Sequence, residues 1–324
     1  MLETLFFAFD CSYVLGNGLP RGRGAGIFDT MSSHAKERTG KDGLPMGEVE
    51  PVRAADVRAV RPDALTPAET LAKAEALGVS KAAMASGRCF LSAMLAGAFI
   101  AFGALYFCMV MADADLPFAA QRILGGICFC LGLVLVLCCG AELFTGNILL
   151  VCAKASGKVP WSGVLRNWGL VWLGNLAGAL VAVALVQLAQ IGLMNGGEVG
   201  QAMVSVAAGK VVLDPVPLFF KAVLCNVFVC LAVWIGFAAR TVTDKVIGIL
   251  LPISAFVACG FEHCVANMFF LVNGLVANAA GFGAPGAVEV AGIVYNLVLS
   301  TAGNIVGGVL VGLAYWCVYR ARQS

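Results

Sequence analysis

Charged side chains are scarce in this chain, and they are unevenly placed. Charged residues make up 12% of the 324 residues and hydrophobic residues 60%, with a mean hydropathy of +0.91. This balance excludes a purely water-soluble protein. Residues 1–87 hold just over half of the charges, 21 of the 40, so we predict that the membrane-embedded part begins near Gly87.

Metal-ligand patterns and basic patches are also missing. The net charge is only +2, and no basic patch is interleaved with aromatic residues, which argues against nucleic acid as a partner. There is no C-x-x-C pair, and His34 and His263 are the only histidines, so we expect neither a metal site nor a cofactor. Most of the 13 cysteines lie inside apolar runs, where they act as small hydrophobic residues.

The region before the membrane part divides near residue 62. Residues 1–62 mix Gly, Pro, Arg and acids without periodicity and are predicted to form a flexible tail, with Met31 or Met46 as an alternative start. From Thr66, the order Thr-Pro-Ala-Glu predicts a helix N-terminus. Residues 63–87 are therefore expected to contain a short amphipathic helix.

Six apolar stretches are long enough to cross a bilayer, which takes roughly 20 residues of helix. They lie at about 89–111, 121–140 with a continuation to 153, 168–190, 217–239, 246–260 with a continuation to 280, and 293–318. The sequence thus predicts an all-α integral membrane domain over residues 88–318, followed by a short tail at residues 319–324. An even number of spans places both termini on the same side.

The distribution of basic residues between the loops assigns that side. The loops opposite the termini carry only Arg122, Lys210 and Lys221. The loops on the side of the termini carry Lys154, Lys158, Arg166, Arg240, Lys245, Arg320 and Arg322. Both termini and the amphipathic helix are therefore predicted to be cytoplasmic, in a multi-pass protein of the cell (inner) membrane.

Two motifs recur in the same order along the chain. Cys-Gly-Ala-Glu-Leu-Phe-Thr-Gly-Asn at 139–147 and Cys-Gly-Phe-Glu-His-Cys-Val-Ala-Asn at 259–267 both read C-G-x-E-x-x-x-x-N. The spans that follow them share G-N-x-x-G, at 174–178 and 303–307. These motifs indicate two repeats of three spans. Because three is odd, the second repeat is inverted in the membrane.

The repeated motifs place polar residues inside apolar spans, where they are costly unless they have a role. Since both motifs contain glycine, we expect helices two and five to be broken over 139–147 and 259–267, with the breaks facing each other near the midplane. Half-helix N-termini there favour an anion. Polar side chains of the motifs either satisfy the freed backbone groups or simply bond helices together. They are Glu142, Asn147, Glu262 and Asn267.

His263 is the only histidine of the membrane part, and an ionisable group at that depth is by default a functional candidate. Thr145 is either a helix cap or the hydrogen-bond partner of His263 across the pseudo-two-fold axis. Lys210, before span four, is either a solvated loop cation or a lone charge that attracts anions to a pore mouth. Bulky residues near the breaks form either hydrophobic constrictions or ordinary packing. They are Phe129, Leu133, Leu143, Phe144 and Phe256.

Over residues 64–324 the chain resembles the formate/nitrite transporter family, and its formate-channel branch in particular. The motifs that carry the resemblance are Gly-Ile-Cys-Phe at 126–129, Leu-Phe-Thr at 143–145, Ala-Lys-Ala-Ser-Gly at 153–157, Gly-Phe-Glu-His at 260–263 and Ala-Asn-Met at 266–268. The resemblance implies a homopentamer of aquaporin-like protomers. Each protomer then has its own six-helix pore, with the second and fifth helices broken.

The resemblance also implies roles for single residues. His263 matches the family's central pore histidine, Thr145 its hydrogen-bonding threonine and Lys210 its vestibule lysine. Asn226 and Asn304 match its polar pore-side asparagines. The family's constriction positions fall on the bulky residues named above.

The leading hypothesis is therefore a channel for small monovalent anions, formate first, which is either passive or proton-coupled through His263. Nitrite or hydrosulfide is the alternative substrate, because Cys264 and Gly146-Asn147 differ from the residues common in formate channels. A neutral-solute channel is disfavoured because its paired Asn-Pro-Ala signatures are missing. A membrane enzyme needs a second reactive group beside His263. We expect no enzyme activity, and the expected partners are the anion, the lipid bilayer and further copies of the chain.

Overall fold

Helices make up all the regular secondary structure of the described part of the chain. A computed structural model describes residues 63–113 and 115–320, so the predicted tail over residues 1–62 and residues 321–324 lie outside it. The α-helices are α1 Pro67–Ala83, α2 Ser86–Met111, α3 Phe118–Cys139, α4 Phe144–Asn147, α5 Leu150–Ala155, α6 Trp161–Leu188, α7 Glu198–Val211, α8 Pro215–Ala238, α9 Val242–Ala258, α10 Cys264–Ala279 and α11 Val290–Arg320. Two short 3₁₀ turns, Ile191–Leu193 and Asn195–Gly197, lie between α6 and α7.

Five of these helices, α2, α3, α6, α8 and α11, are long and apolar enough to cross a membrane. The remaining span is divided between two shorter helices, α9 and α10, which follow each other in the chain. Likewise, α4 and α5 continue the span that α3 begins. The prediction of six membrane-spanning helices with the second and fifth broken is therefore confirmed.

α1 begins where the sequence predicts it. The Thr66 hydroxyl accepts a hydrogen bond from the Glu69 backbone N–H at 3.3 Å, and the Glu69 carboxylate accepts one from the Thr66 N–H at 2.9 Å, which completes a capping box. Leu71 is buried against the membrane helices. The Lys73 ammonium donates a 2.6 Å hydrogen bond to the Phe237 carbonyl at the end of α8. α1 is therefore docked on the six-span domain.

Glycines allow two pairs of helices to pack closely, and the pairs correspond in the two repeats. A Cβ atom on Gly178 of α6 would lie 1.9 Å from the Met94 carbonyl oxygen of α2. A Cβ atom on Gly307 of α11 would lie 2.2 Å from the Val223 carbonyl oxygen of α8. No other residue fits at these distances, as at other small-residue contacts between membrane helices. The last glycine of each G-N-x-x-G motif is thus a packing residue.

Both predicted helix breaks are present, but they are shorter than expected. Within the two repeated motifs, the chain is non-helical only over residues 140–143 and 259–263. In each break a glycine with positive φ releases the chain from the preceding helix: φ is +80° at Gly140 and +70° at Gly260. The breaks therefore occupy only the first half of each repeated motif.

The residues that end each motif lie in the helices that follow, so their predicted place inside the breaks was wrong. Thr145 and Asn147 lie in α4, and Asn267 lies in the first turn of α10. Helical hydrogen bonding resumes at once. The Asn147 N–H donates to the Leu143 carbonyl at 2.9 Å, and the Asn267 N–H donates to the His263 carbonyl at 2.8 Å.

Candidate pore and its two helix breaks

Glu262 is the centre of a buried polar cluster at the second break. Its carboxylate accepts hydrogen bonds from Lys210 Nζ at 2.7 Å, Asn267 Nδ2 at 2.7 Å and Asn296 Nδ2 at 3.2 Å. Asn296 Nδ2 also donates to the Lys210 carbonyl at 3.0 Å. A buried carboxylate needs such partners, because an unpaired one is strongly destabilising. We call these four residues the Glu262 cluster.

The first break contains a matching group, which we call the Glu142 cluster. The Glu142 carboxylate accepts hydrogen bonds from Lys81 Nζ at 2.9 Å and Asn147 Nδ2 at 2.7 Å. Asn147 Nδ2 also donates to Asn167 Oδ1 at 3.0 Å, and Asn167 Nδ2 donates to the Lys81 carbonyl at 3.2 Å. The same residue types thus form a hydrogen-bonded cluster in each repeat, and Lys81 of α1 corresponds to Lys210 of α7.

Of the two roles considered for the motif carboxylates and asparagines, the structure shows bonding between helices. The sequence reasoning missed three members of the clusters: Lys81, Asn167 and Asn296. The asparagines had a signal, since both repeats read N-x-x-x-x-x-x-G-N at 167–175 and 296–304. The repeat therefore extends beyond three spans and includes α1 in one half and α7 in the other.

Two further asparagines bind the backbone groups that the breaks leave free. Asn304 Oδ1 accepts the Cys264 N–H at 2.9 Å, and its Nδ2 donates to the Glu262 carbonyl at 2.9 Å. Asn175 makes the corresponding two bonds at the first break, also at 2.9 Å. Buried backbone groups of a membrane protein must find such partners within the protein. The asparagine of each G-N-x-x-G motif therefore holds a break in shape.

Asn226 and Asn304 were expected on the pore side, and in the structure both are hydrogen-bonded to backbone beside the breaks. Both are fully buried, and neither is among the residues that line the two cavities described below. Asn226 Nδ2 donates to the Asn304 carbonyl at 2.6 Å and to the Thr145 carbonyl at 3.3 Å. Because both side-chain amides are bound to backbone, these residues support the breaks, and their contact with a permeating solute stays a prediction.

His263 and Thr145 bring the two breaks into contact. His263 Nε2 lies 3.0 Å from Thr145 Oγ1. The Ala266 backbone N–H donates to His263 Nδ1 at 2.9 Å, so the imidazole also caps α10. Since Nδ1 accepts that bond, we assign the proton of the neutral ring to Nε2, which donates to Thr145. The structure thus contains the hydrogen bond between the breaks that the sequence analysis considered.

Four of the five candidate constriction residues surround a very small cavity beside His263. They are Phe129, Leu133, Leu143 and Phe256. The cavity volume of about 10 Å³ is room for about one water molecule. Phe129 meets Phe256 edge-on with ring centroids 5.7 Å apart, and Phe256 stacks on the His263 ring at 5.9 Å. We call this segment the apolar gap, because a hydrated ion cannot pass it without losing water.

Phe144, the fifth candidate, is buried but is not among the residues that line either cavity. It differs from the other four because it begins α4, where its backbone N–H is bound by Asn175. The lining of the apolar gap is completed by Ile100, Val229 and Ile253, which the sequence analysis did not identify. Their sequence context offers no signal, since each is an apolar residue within an apolar helix.

A larger cavity of about 400 Å³ opens on one side of the apolar gap. The two cavities share Phe129, Phe256 and His263, so the histidine lies where they meet. Lys210 and Glu262 also line the larger cavity, which we call the Lys210 vestibule. A solute that passes from this vestibule into the apolar gap therefore passes His263.

Lys210 itself is neither a loop residue nor a lone cation, so both descriptions considered from the sequence were wrong. It lies in α7, and its side chain is only 16% exposed. Its ammonium is ion-paired with Glu262 at 2.7 Å and lies 5.5 Å from the centre of the Phe270 ring. The sequence analysis missed this pair because α7 and the second break are distant in the chain and meet only in the fold.

The potential metal ligands and thiols of the described residues are dispersed. Within residues 63–113 and 115–320, no group of three or more His, Cys, Asp or Glu side chains is placed to bind a metal. The cysteines of the same ranges are free thiols. Cys264, beside His263 in sequence, is fully buried and is not among the residues that line either cavity.

Comparisons with known proteins cover the region that forms both breaks. A family model described as "Formate/nitrite transporter" matches residues 68–317. The chain is 38% identical over 273 residues to the formate channel FocA of Escherichia coli (strain K12), which covers 79% of this chain and 95% of that protein. It is 35% identical over 262 residues to the formate channel FocA of Haemophilus influenzae, with 76% and 92% covered.

A solved structure gives the same result. It is described as a pentameric formate channel with formate bound, and it matches with a TM-score of 0.67 and 37% sequence identity, covering 72% of this chain and 97% of that one. Family model, relatives and structure thus agree on the fold and on the region matched. The chain belongs to the formate/nitrite transporter family.

Proposed function

We propose that this protein is a membrane channel for small monovalent anions and that formate is its main substrate. The observation that carries the proposal is the position of His263, between a vestibule of about 400 Å³ and an apolar gap of about 10 Å³, with its Nε2 bound to Thr145. Relatives named as formate channels and a solved neighbour described with formate bound support the choice of substrate.

The apolar gap makes the protonation state of the substrate decisive. A bare carboxylate that passes between Phe129, Leu133 and Leu143 loses its hydration, which costs several kcal/mol even after the protein relaxes, on the order of 5 kcal/mol. The neutral acid crosses at a much lower cost. In this proposal formate reaches His263 as an anion, takes one proton there, and crosses the gap as formic acid. The proton then leaves the acid on the far side.

The proton has two possible sources, and the geometry favours water over His263. A second proton on the imidazole would have to sit on Nδ1, where it would break the bond from the Ala266 N–H. It would also place a positive charge at the N-terminus of α10, where the helix dipole is unfavourable to cations. His263 is therefore best suited to act as a neutral donor whose Nε2–H turns from Thr145 to the anion, while a proton from the bulk solution reaches the anion through water in the vestibule.

We propose that the protein works as a homopentamer with one pore in each protomer, on the basis of the neighbour described as pentameric. We also propose that the protein lies in the inner membrane, with both termini and α1 in the cytoplasm, because most basic loop residues lie on the side of the termini. With that orientation, the Lys210 vestibule faces the exterior.

Nitrite and hydrosulfide stay as alternatives in the substrate test. In the sequence, the Gly146-Asn147 pair left the choice between formate and these anions open. Its position in the structure does not favour one of them. Asn147 is bound to Glu142 and Lys81, so it builds the first break and is not among the residues that line the apolar gap. Discrimination between these anions must therefore depend on the gap and on His263.

Uptake by liposomes that contain the purified protein and a pH-sensitive dye tests the proposal. Formate, nitrite, hydrosulfide and glycerol are offered in parallel, with protein-free liposomes as the control. We expect formate to enter fastest and to acidify the lumen, because the neutral acid releases its proton there. Formate uptake equal to that of protein-free liposomes, or glycerol uptake as fast as formate uptake, would contradict the proposal.

Two variants separate the proton sources. His263→Phe fills the site with an aromatic ring that cannot donate a hydrogen bond, so acid uptake should stop. His263→Asn keeps a donor that does not titrate. Continued luminal acidification in His263→Asn supports water as the proton source, whereas formate uptake without acidification, or no uptake, assigns proton transfer to His263.

A further inference from the structure

Two cations that line the Lys210 vestibule have no part in the buried clusters. Arg122 and Lys221 both line this cavity together with Lys210. Lys210 is ion-paired with Glu262, so its charge is largely compensated. Within residues 63–113 and 115–320, no carboxylate lies at ion-pair distance from Arg122 or Lys221. The uncompensated positive charge of this vestibule therefore comes from these two residues.

Arg122 is held in a fixed position beside the second break. Its Nε donates to the Ala258 carbonyl at 3.0 Å, and its Nη2 donates to the Val257 carbonyl at 2.8 Å, both at the end of α9. The guanidinium carbon lies 5.6 Å from the centre of the Phe107 ring. Carbonyl groups orient the guanidinium without neutralising it, so the charge stays available to an anion in the cavity.

Lys221 is half-buried near the start of α8, and its position is also tied to the second break. Its backbone carbonyl accepts the Glu262 N–H at 3.4 Å. The Ser92 carbonyl accepts the Glu142 N–H in the same way at 3.3 Å, so Ser92 is the counterpart of Lys221 in the other repeat. Aligned on the C-G-x-E motifs, the counterpart of Arg122 is Val242.

Neither counterpart carries a charge, so the other mouth lacks these two cations at the corresponding positions. We propose that Arg122 and Lys221 form an anion-recruiting site that takes small monovalent anions into the Lys210 vestibule before they reach His263. This inference rests on the proposed anion-channel function. Two like charges at one cavity attract an anion without binding it tightly, which raises its local concentration and leaves it free to move on.

The recruiting site affects the half-saturating concentration of transport and not its maximal rate. Recruitment lowers the formate concentration that gives half-maximal uptake from this mouth, and it weakens as salt screens the charges over about 8 Å at 0.15 M ionic strength. The maximal rate depends on the apolar gap and on His263 instead. Loss of the two charges should therefore raise the half-saturating concentration at low salt and leave the maximal rate nearly unchanged.

The experiment measures initial uptake of radiolabelled formate over a range of concentrations. Right-side-out and inside-out membrane vesicles are compared, so that the Lys210 vestibule faces the bath in one of them. Potassium gluconate adjusts the ionic strength, since gluconate is too large to compete in the gap. The test variant is the double substitution Arg122→Gln with Lys221→Gln. The matched control is Arg122→Lys with Lys221→Arg, which keeps both charges.

We expect the glutamine variant to raise the half-saturating formate concentration about tenfold at low salt from the vestibule side, and to approach the wild type at high salt. The charge-keeping control should stay close to the wild type. An unchanged half-saturating concentration, or a loss confined to the maximal rate, would overturn the recruiting site. If the double variant does not fold, Lys221→Gln alone should show a smaller rise of the same kind, and a wild-type value there would also overturn it.

Two outcomes distinguish the recruiting site from the anion-channel function on which it rests. Wild-type vesicles that take up no more formate than vesicles without the protein would contradict the anion channel itself. Saturable wild-type uptake that the glutamine variant leaves unaltered at every salt concentration would contradict only the recruiting site.

Discussion

The break after α3 and the break after α9 are held by the same types of side chain. In each, a lysine and two asparagines surround a glutamate, and a third asparagine binds the freed backbone. The side chains at the pore are different, because Leu143 corresponds to His263 and Thr145 corresponds to Val265 when the C-G-x-E motifs are aligned. What the repeats share therefore builds the breaks, and what differs between them gives the pore its chemistry.

The two clusters also differ in how completely they are bonded. Lys81 Nζ donates to both Glu142 and Asn147 Oδ1, the second at 2.8 Å. In the Glu262 cluster, Asn267 Oδ1 is buried without a hydrogen-bond partner, and Asn267 lines the open vestibule. Such an oxygen is a natural place for water, since a buried polar atom is costly when nothing satisfies it.

The largest effect is expected from removing the glutamate that both repeats share. Glu262→Ala leaves the Lys210 ammonium buried without its carboxylate, and Glu142→Ala does the same to Lys81. Loss of one partner of a buried pair costs about 3–5 kcal/mol. We expect both variants to lose most of their folded yield and to unfold at a much lower temperature in detergent, by similar amounts.

A double variant provides the control for this prediction. Lys210→Met combined with Glu262→Gln removes both charges at once, so it should recover part of the stability that Glu262→Ala loses. Wild-type unfolding temperatures in the two alanine variants would show that the clusters do not build the breaks. Strongly unequal losses would show that the two breaks are not held equivalently.

A smaller loss of stability is expected from the outer asparagines, Asn167 and Asn296. Asn296→Ala removes the bonds to Glu262 and to the Lys210 carbonyl, and it leaves the glutamate with its lysine. Each unsatisfied buried group costs about 1–3 kcal/mol. Unfolding temperatures of Asn167→Ala and Asn296→Ala should both fall between those of the wild type and the glutamate variants, and a larger loss than the glutamates cause would reverse this ranking.

The smallest loss of stability is expected from Thr145→Val. Valine is the residue that the second repeat has at the corresponding position, Val265. The substitution keeps the shape of the side chain and removes the acceptor of the His263 Nε2 bond, which costs about 1 kcal/mol. Formate uptake should fall because the imidazole loses its orientation, and Thr145→Ser should restore it. Equal uptake in Thr145→Val and the wild type would show that the hydroxyl has no role in transport.

Local sequence patterns predicted much of this fold. Apolar length gave the six spans, and the repeated C-G-x-E motif located both breaks, because a buried glutamate beside glycine is rare in a continuous membrane helix. The lengths of the breaks were wrong, since Asn175 and Asn304 bind the first freed N–H groups and let the next helix begin at once. Such a contact joins distant residues, and a local pattern does not contain it.

Less of the candidate site was predictable, because its contacts also join residues that are distant in the chain. His263 stands out because it is the only histidine of the predicted membrane part. The direction in which Asn226, Asn304 and Phe144 point depends on helix packing, so a local sequence pattern does not decide whether they face the pore. Arg122 was counted only as a loop charge, because its contacts with the end of α9 exist only in the fold.

His263→Leu tests most directly whether the residues that differ between the repeats give the pore its chemistry. It places in the second break the residue that the first break has at the corresponding position, Leu143. The variant keeps the Glu262 cluster and the backbone bonds of Asn304, and it loses the Thr145 bond, the cap on α10 and the stacking of Phe256 on the imidazole ring. We predict an unfolding temperature close to that of the wild type, in the same preparation in which formate uptake into liposomes and luminal acidification are both abolished. Uptake at the wild-type rate, or a loss of folding as large as that of Glu262→Ala, would contradict the account.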